Sequence, residues 1–176
     1  NFGEIIPSIP PQGSVILVGH SQGGVEAMRL AAEYPGRVEA VVLTNSFFPP
    51  ARGGRSAAAA TREYARHRVL YLRELTSRDR PPSPTRRGAG QIASVARLGL
   101  RPSAFRDLAA AVASPVLVIH GNHDHVVPIT FARAAVAAHP AWTLREFPGG
   151  GHHLHRDQPE WWGKVAVSFL TGLGLS

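Results

Sequence analysis

The sequence predicts an α/β fold: a parallel sheet of about four strands flanked by helices, interrupted by a helical insertion. Three observations predict it. Short apolar runs of strand length recur along the chain, as in SVILVG, VEAVVLT and PVLVIH. Segments of helical spacing separate them. Strand–helix alternation of this kind builds βαβ units, in which helices cover a parallel sheet.

The elements follow in order. Residues 1–13, NFGEIIPSIPPQG, hold three Pro and two Gly and read as a loop or the end of a helix. Ser14–Gly19 is a strand apolar on both faces. Gly23–Tyr34 has helical spacing, with Val25, Met28, Leu30 and Ala31 or Ala32 available for a core face, and Pro35-Gly36 stops it. Val38–Thr44 is the second buried strand. The breaker Phe47–Gly54 opens the insertion, with helix-prone residues from Ser56 to about Ser77 and a Pro-rich loop at Arg80–Arg87. Gln91–Leu98 and Phe105–Ala113 are further short helices. Pro115–His120 is the third strand, Thr130–His139 an amphipathic helix, and Trp142–Phe147 a fourth strand nearer an edge. Gly149–Gly151 is a flexible loop. Pro159–Leu173 is the last helix, with Pro159 suited to its first turn. The expected organisation is therefore residues 1–47 and 113–176 as two halves of one core, with residues 48–112 as a lid between them.

Composition narrows the function. Of 176 residues, 44% are apolar, which excludes a wholly disordered chain. The absence of cysteine excludes disulfides, thiolate metal sites and a cysteine nucleophile. No apolar run reaches the length of a membrane-spanning helix. The net charge of +7 is uneven: residues 51–107 carry 13 Arg against Glu63, Glu74, Asp79 and Asp107. No nucleic-acid recognition motif and no aromatic–basic alternation accompany those arginines, so they read as a solvated helical face rather than a nucleic-acid surface. The chain begins at Asn1 rather than Met, which points to a start inside a longer protein.

The unusual residues fall where strands end, and ligand sites in such sheets form there. Gly19-His20-Ser21-Gln22-Gly23 is G-x-S-x-G between a strand and a helix. Such a turn strains the central serine and lifts its hydroxyl clear of the sheet. Gly19 and Gly23 are expected to lack side chains because the helix crosses close to the strand. The N–H of Gln22, at the helix start, is placed to donate to a developing oxyanion. A serine hydroxyl needs a base, and the base needs an orienting acid. Asp124, just past the third strand, is the acid candidate. Asp157 is its rival, though helix capping suits Asp157 better. His152 in GGGHHLHRDQP is the base candidate, with His153 and His155 as rivals. His120, His123, His125, His152, His153 and His155 share two loops that should meet, but a base plus a polar lining explains them without a metal.

Three motifs carry a resemblance: GHSQGG (19–24), HGNHDHVVP (120–128) and GHHLHRDQPEWW (151–162). With VSFL (167–170) after them, the chain resembles the C-terminal part of an α/β-hydrolase fold enzyme of the serine esterase type. The resemblance implies Ser21 as nucleophile, Asp124 as acid, His152 as base and a helical lid near residues 48–112. It implies no cofactor and a small-molecule ester substrate, with His20, Phe47, Phe48 and Val126 as substrate contacts. Members of this superfamily carry further strands before the nucleophile strand, and a loop there supplies a second oxyanion donor. Without them the Ser14–Gly19 strand is expected to present a bare edge. Two other readings stand beside acyl transfer to water from an ester: hydrolysis of an amide, thioester or carbon–carbon bond on the same residues, and a non-catalytic binding protein or inert fragment.

Overall fold

The computed structural model describes residues 13–48 and 102–175. Within them the chain runs β1 (Val15–His20), α1 (Gln22–Glu33), β2 (Val38–Thr44), α2 (Pro102–Ala111), β3 (Val116–Gly121), α3 (Ile129–Ala138), β4 (Thr143–Phe147), α4 (Leu154–Asp157) and α5 (Pro159–Gly172). The four strands form one parallel sheet in the order β1-β2-β3-β4. Every strand–helix–strand step therefore returns the chain to the same end of the sheet.

Apolar side chains cover both faces of the central strands. Met28, Leu30 and Ala31 of α1, Phe105 and Ala109 of α2, and Phe131 and Ala132 of α3 pack with Val41, Leu43, Val116 and Val118 on one face. Leu154 and Ala166, with the partly buried Trp161, Trp162 and Phe169, cover Val42, Leu117 and Ile119 on the other. Alternate residues of one strand face opposite ways, so β2 and β3 read as continuous apolar runs. Trp162 Nε1 donates to Thr44 Oγ1 at 2.8 Å, fastening α5 to the end of β2.

The structure departs from expectation in three places. β1 is not buried on both faces: Ile16 is 37% and Val18 59% exposed, because α4 and α5 lie over β2 and β3 and, among the described residues, nothing covers β1 on that side. The helix expected at Phe105–Ala113 begins at Pro102 and belongs to the core, through Phe105, Ala109 and Val112 at helical spacing. The rest of the expected lid, residues 49–101, lies outside the described residues, as does the loop before residue 13. Finally, Gly149–Gly151 is tied down rather than loose. Gly149 N donates to Asn122 Oδ1 at 2.7 Å, Gly150 N donates to Phe147 O at 3.2 Å, and Gly150 O accepts from His123 N at 3.0 Å.

Candidate active site

The strand ends lie side by side. His20 pairs with Thr44, Thr44 with Ile119, and Gly121 with Phe147. Residues that follow these ends share one edge of the sheet, and that edge gathers Ser21, Asn45, Asp124 and His152.

Ser21 sits between the last residue of β1 and the first of α1 with φ 54° and ψ −123°. A non-glycine residue held at positive φ costs about 1–3 kcal/mol, so surrounding structure must hold it there. Its N–H donates to Thr44 O at 3.0 Å, and its carbonyl accepts from Gly24 N at 3.2 Å. The helix starts this abruptly only because two glycines permit it. A Cβ on Gly19 would lie 2.5 Å from Gly24 Cα, and one on Gly24 would lie 2.0 Å from Ser46 Oγ. Gly23 packs close to Gly19 through its backbone, its carbonyl oxygen 2.6 Å from where a Cβ on Gly19 would lie, but its own side-chain position is open: a Cβ there meets nothing within 4 Å. The need for a bare α-carbon falls one residue later, on the buried Gly24, because Gly23 is turned to the exposed side of the helix. Gln22 opens α1, so its N–H has no carbonyl one turn back to receive it.

Asp124 is 1% exposed, and its carboxylate is surrounded by donors. Oδ1 accepts from Val126 N at 2.8 Å and Val127 N at 2.9 Å. Oδ2 accepts from Asn45 Nδ2 at 2.8 Å and His152 Nδ1 at 2.9 Å. Burial alone would raise its pKa, but the hydrogen bond and charge of His152, the proximity of His120 and the Val127 N–H outweigh burial and lower it. His120 is itself buried; Nε2 donates to Val127 O at 2.9 Å and lies 3.5 Å from Asp124 Oδ2. Burial lowers the His120 pKa, with the nearby carboxylate opposing, so this imidazole is a neutral support for the acid loop.

His152 spans the gap. Its Nδ1 faces Asp124, and its Nε2 lies 3.1 Å from Ser21 Oγ. A carboxylate only accepts, so Nδ1 carries the proton and Nε2 is left to accept from the serine hydroxyl. Gly121 and Gly150 let the two loops touch: a Cβ on Gly121 would come within 2.2 Å of Gly150 O. His153 and His155, the rival bases, pack around the His20 ring instead, with centroids 5.3 and 4.5 Å away. Asp157, the rival acid, ends α4 and pairs with Arg156 Nε at 3.5 Å. Nor does it cap α5, whose N-cap is Gln158 with no side-chain cap.

The expected substrate contacts divide. Val126 is half-buried beside Asp124, and Phe47 meets Phe131 edge-on at 6.3 Å. Phe48 is fully buried between Phe105 and Trp142, at centroid distances of 6.1 and 6.3 Å, and is core rather than a wall of the site. His20 turns its Nε2 onto His152 O at 2.8 Å. Asn45 carried no motif, yet it joins the strand end to both partner loops, donating to Gly151 O at 3.2 Å as well as to Asp124. Its φ of 46° is the conformational trace of that role, invisible in sequence. Among the described residues no group of three His, Asp or Glu side chains is arranged to hold a metal ion.

A parallel sheet flanked by helices, with a strained serine turn leading from strand to helix, defines an α/β hydrolase. A model of the family described as serine aminopeptidase, S33, matches residues 2–159, and the chain belongs to that family. The "Putative carbamate hydrolase RutD" of Klebsiella pneumoniae is 28% identical over 172 residues, covering 85% of this chain and 64% of that protein. The chain thus spans a little under two thirds of that relative. A carboxylesterase structure from the thaumarchaeon Nitrososphaera gargenis superposes with a TM-score of 0.60 at 18% identity, covering 99% of this chain and 73% of that one. An esterase from Thermogutta terrifontis gives a TM-score of 0.58 at 21% identity, covering 92% and 66%. At these identities the two structures speak for the fold.

Proposed function

We propose that the chain carries the catalytic residues of a serine hydrolase that cleaves small carboxylic esters through an acyl-enzyme. The observation that carries the reading is the unbroken path from Asp124 through His152 to Ser21, with steps of 2.9 and 3.1 Å. Ser21 Oγ attacks the ester carbonyl and passes its proton to His152 Nε2. Asp124 holds the Nδ1–H and stabilises the imidazolium that forms. The Gln22 N–H donates to the oxyanion. Collapse of the tetrahedral intermediate breaks the bond to the leaving alkoxide, which takes the proton from His152. Water then attacks the acyl carbon and loses a proton to His152; collapse breaks the bond to Ser21 Oγ, which takes that proton back as the acid leaves. The acyl side is assigned to Val126, half-buried beside Asp124, and to Phe47, as the family resemblance implies.

The name of the Klebsiella relative favours a second reading on the same residues, with a carbamate carbonyl in place of the ester. A fluorophosphonate probe and a substrate panel test both. Labelling of the wild-type chain that disappears in Ser21→Ala, with turnover of p-nitrophenyl acetate, supports the ester reading. Labelling with turnover of carbamates alone supports the second. No labelling of Ser21, in this chain or in a longer one containing it, overturns acyl transfer and leaves a binding role.

A further inference from the structure

We infer that His20 is a positioning residue for this reaction: its imidazole, donating from Nε2 to the main-chain carbonyl of His152, sets where the base stands over Ser21. The inference rests on the acyl-transfer reading and adds a residue to it. It differs from the role expected of His20, which was contact with substrate.

Four observations carry it. His20 Nε2 lies 2.8 Å from His152 O, and a carbonyl can only accept, so that nitrogen bears a proton. His20 and Ser21 are consecutive, and both reach the same residue, one on its main chain and the other on its ring at 3.1 Å. Two contacts from neighbouring positions of one strand end fix both the height and the tilt of the His152 imidazole. The remaining ring nitrogen is fixed by Asp124, and the preceding carbonyl, Gly151 O, by Asn45. Of these ties, only His20 links the base's main chain to the nucleophile's own strand. Lastly, the rings of His152, His153 and His155 surround His20 at centroid distances of 4.8, 5.3 and 4.5 Å. A charged imidazole there would face three others, and burial lowers its pKa to about 4 despite the carbonyl it donates to. A neutral donor holds the His152 loop without adding a positive charge beside an imidazole that must itself become positive.

Displacing a catalytic group by about 1 Å costs roughly a hundredfold in rate. The test compares His20→Leu, which has no donor, with His20→Gln, whose amide N–H reaches about as far as imidazole Nε2. Ester hydrolysis and the rate of Ser21 labelling are the readouts. His20→Leu should lose roughly 10- to 100-fold in kcat and in labelling rate with KM little changed. His20→Gln should recover most of that loss. Equal losses in the two variants, or a change confined to KM, overturn the positioning role. A second measurement needs no variant to fold: the ring nitrogen shifts of His20 in the wild-type chain at neutral pH. The Nε2–H neutral tautomer is expected, and a Nδ1–H or doubly protonated ring overturns the inference while leaving Ser21 labelling intact. Absence of wild-type labelling instead brings down the acyl-transfer reading, and the positioning role with it.

Discussion

The buried carboxylate of Asp124 accepts hydrogen bonds from Val126, Val127, Asn45 and His152, so three of these donors are not the imidazole it orients. In Asp124→Asn the oxygen facing Val126 and Val127 can remain an acceptor, while the other position can present an N–H to His152 and force the wrong tautomer. The expected result is a loss in kcat of roughly a thousandfold or more with the fold retained, read by ester hydrolysis beside circular dichroism. Asn45→Ala removes two donors and places a methyl group at a φ of 46°. Urea unfolding should show a loss of about 1–3 kcal/mol, since a buried carboxylate loses a partner. That residues 21, 124 and 152 come together is legible, because each stands in a loop of unusual composition just after a strand. Asn45 was not, since its evidence is a dihedral angle and a contact across 79 residues. The burial of Phe48 is not legible, because an aromatic that follows a strand looks the same in sequence whether it turns to the site or to the core.

Elements were legible wherever periodicity ran long enough. Strand bounds shift by about one residue and helix bounds by up to three, as expected of pattern reading at frayed ends. The four-residue α4 (Leu154–Asp157) is not legible, because LHRD has one apolar residue and no period. The strand-to-helix turn shows how a motif can point at the wrong glycine. Gly24→Ala would press a methyl against Ser46, and Gly19→Ala would press one against α1 backbone. Each should cost about 1–3 kcal/mol by denaturant unfolding, the range for overpacking. Gly23→Ala enters open space at the start of α1 and should stay within about 0.5 kcal/mol of wild type or gain slightly. Equal damage at positions 23 and 24 would contradict the packing described for this turn.

At the scale of the molecule, imidazoles held neutral make the fold sensitive to acid. Burial, the largest cause, lowers both His20 and His120 from 6.5. Once the pH falls below that value the unfolded chain takes up protons that the folded one refuses, so stability present above it drains as the pH falls, through about 4 for His20. Asp124 acts in the same sense at lower pH, its lowered carboxyl giving stability that is lost below 3.8. The urea midpoint should hold level above about pH 7 and decline between pH 6 and 4. A level midpoint down to pH 4 would contradict the neutral state of these two rings. The alternation of elements made the parallel sheet legible. The bare face of β1 was not, since it depends on where α5 comes to rest. The matched register of the strand ends has one more consequence. Adjacent strands lie about 4.8 Å apart, and Asp124 follows the second strand over from the one that leads to Ser21. The sheet therefore works as a ruler: it fixes the acid and the hydroxyl roughly two rungs apart, a gap too wide for direct contact and about right for one flat ring. A deletion of a single residue within β2 would exchange the side chains on its two covered faces yet leave the strand spacing as it is, so the span between acid and alcohol is inherited from the backbone before any side chain is chosen.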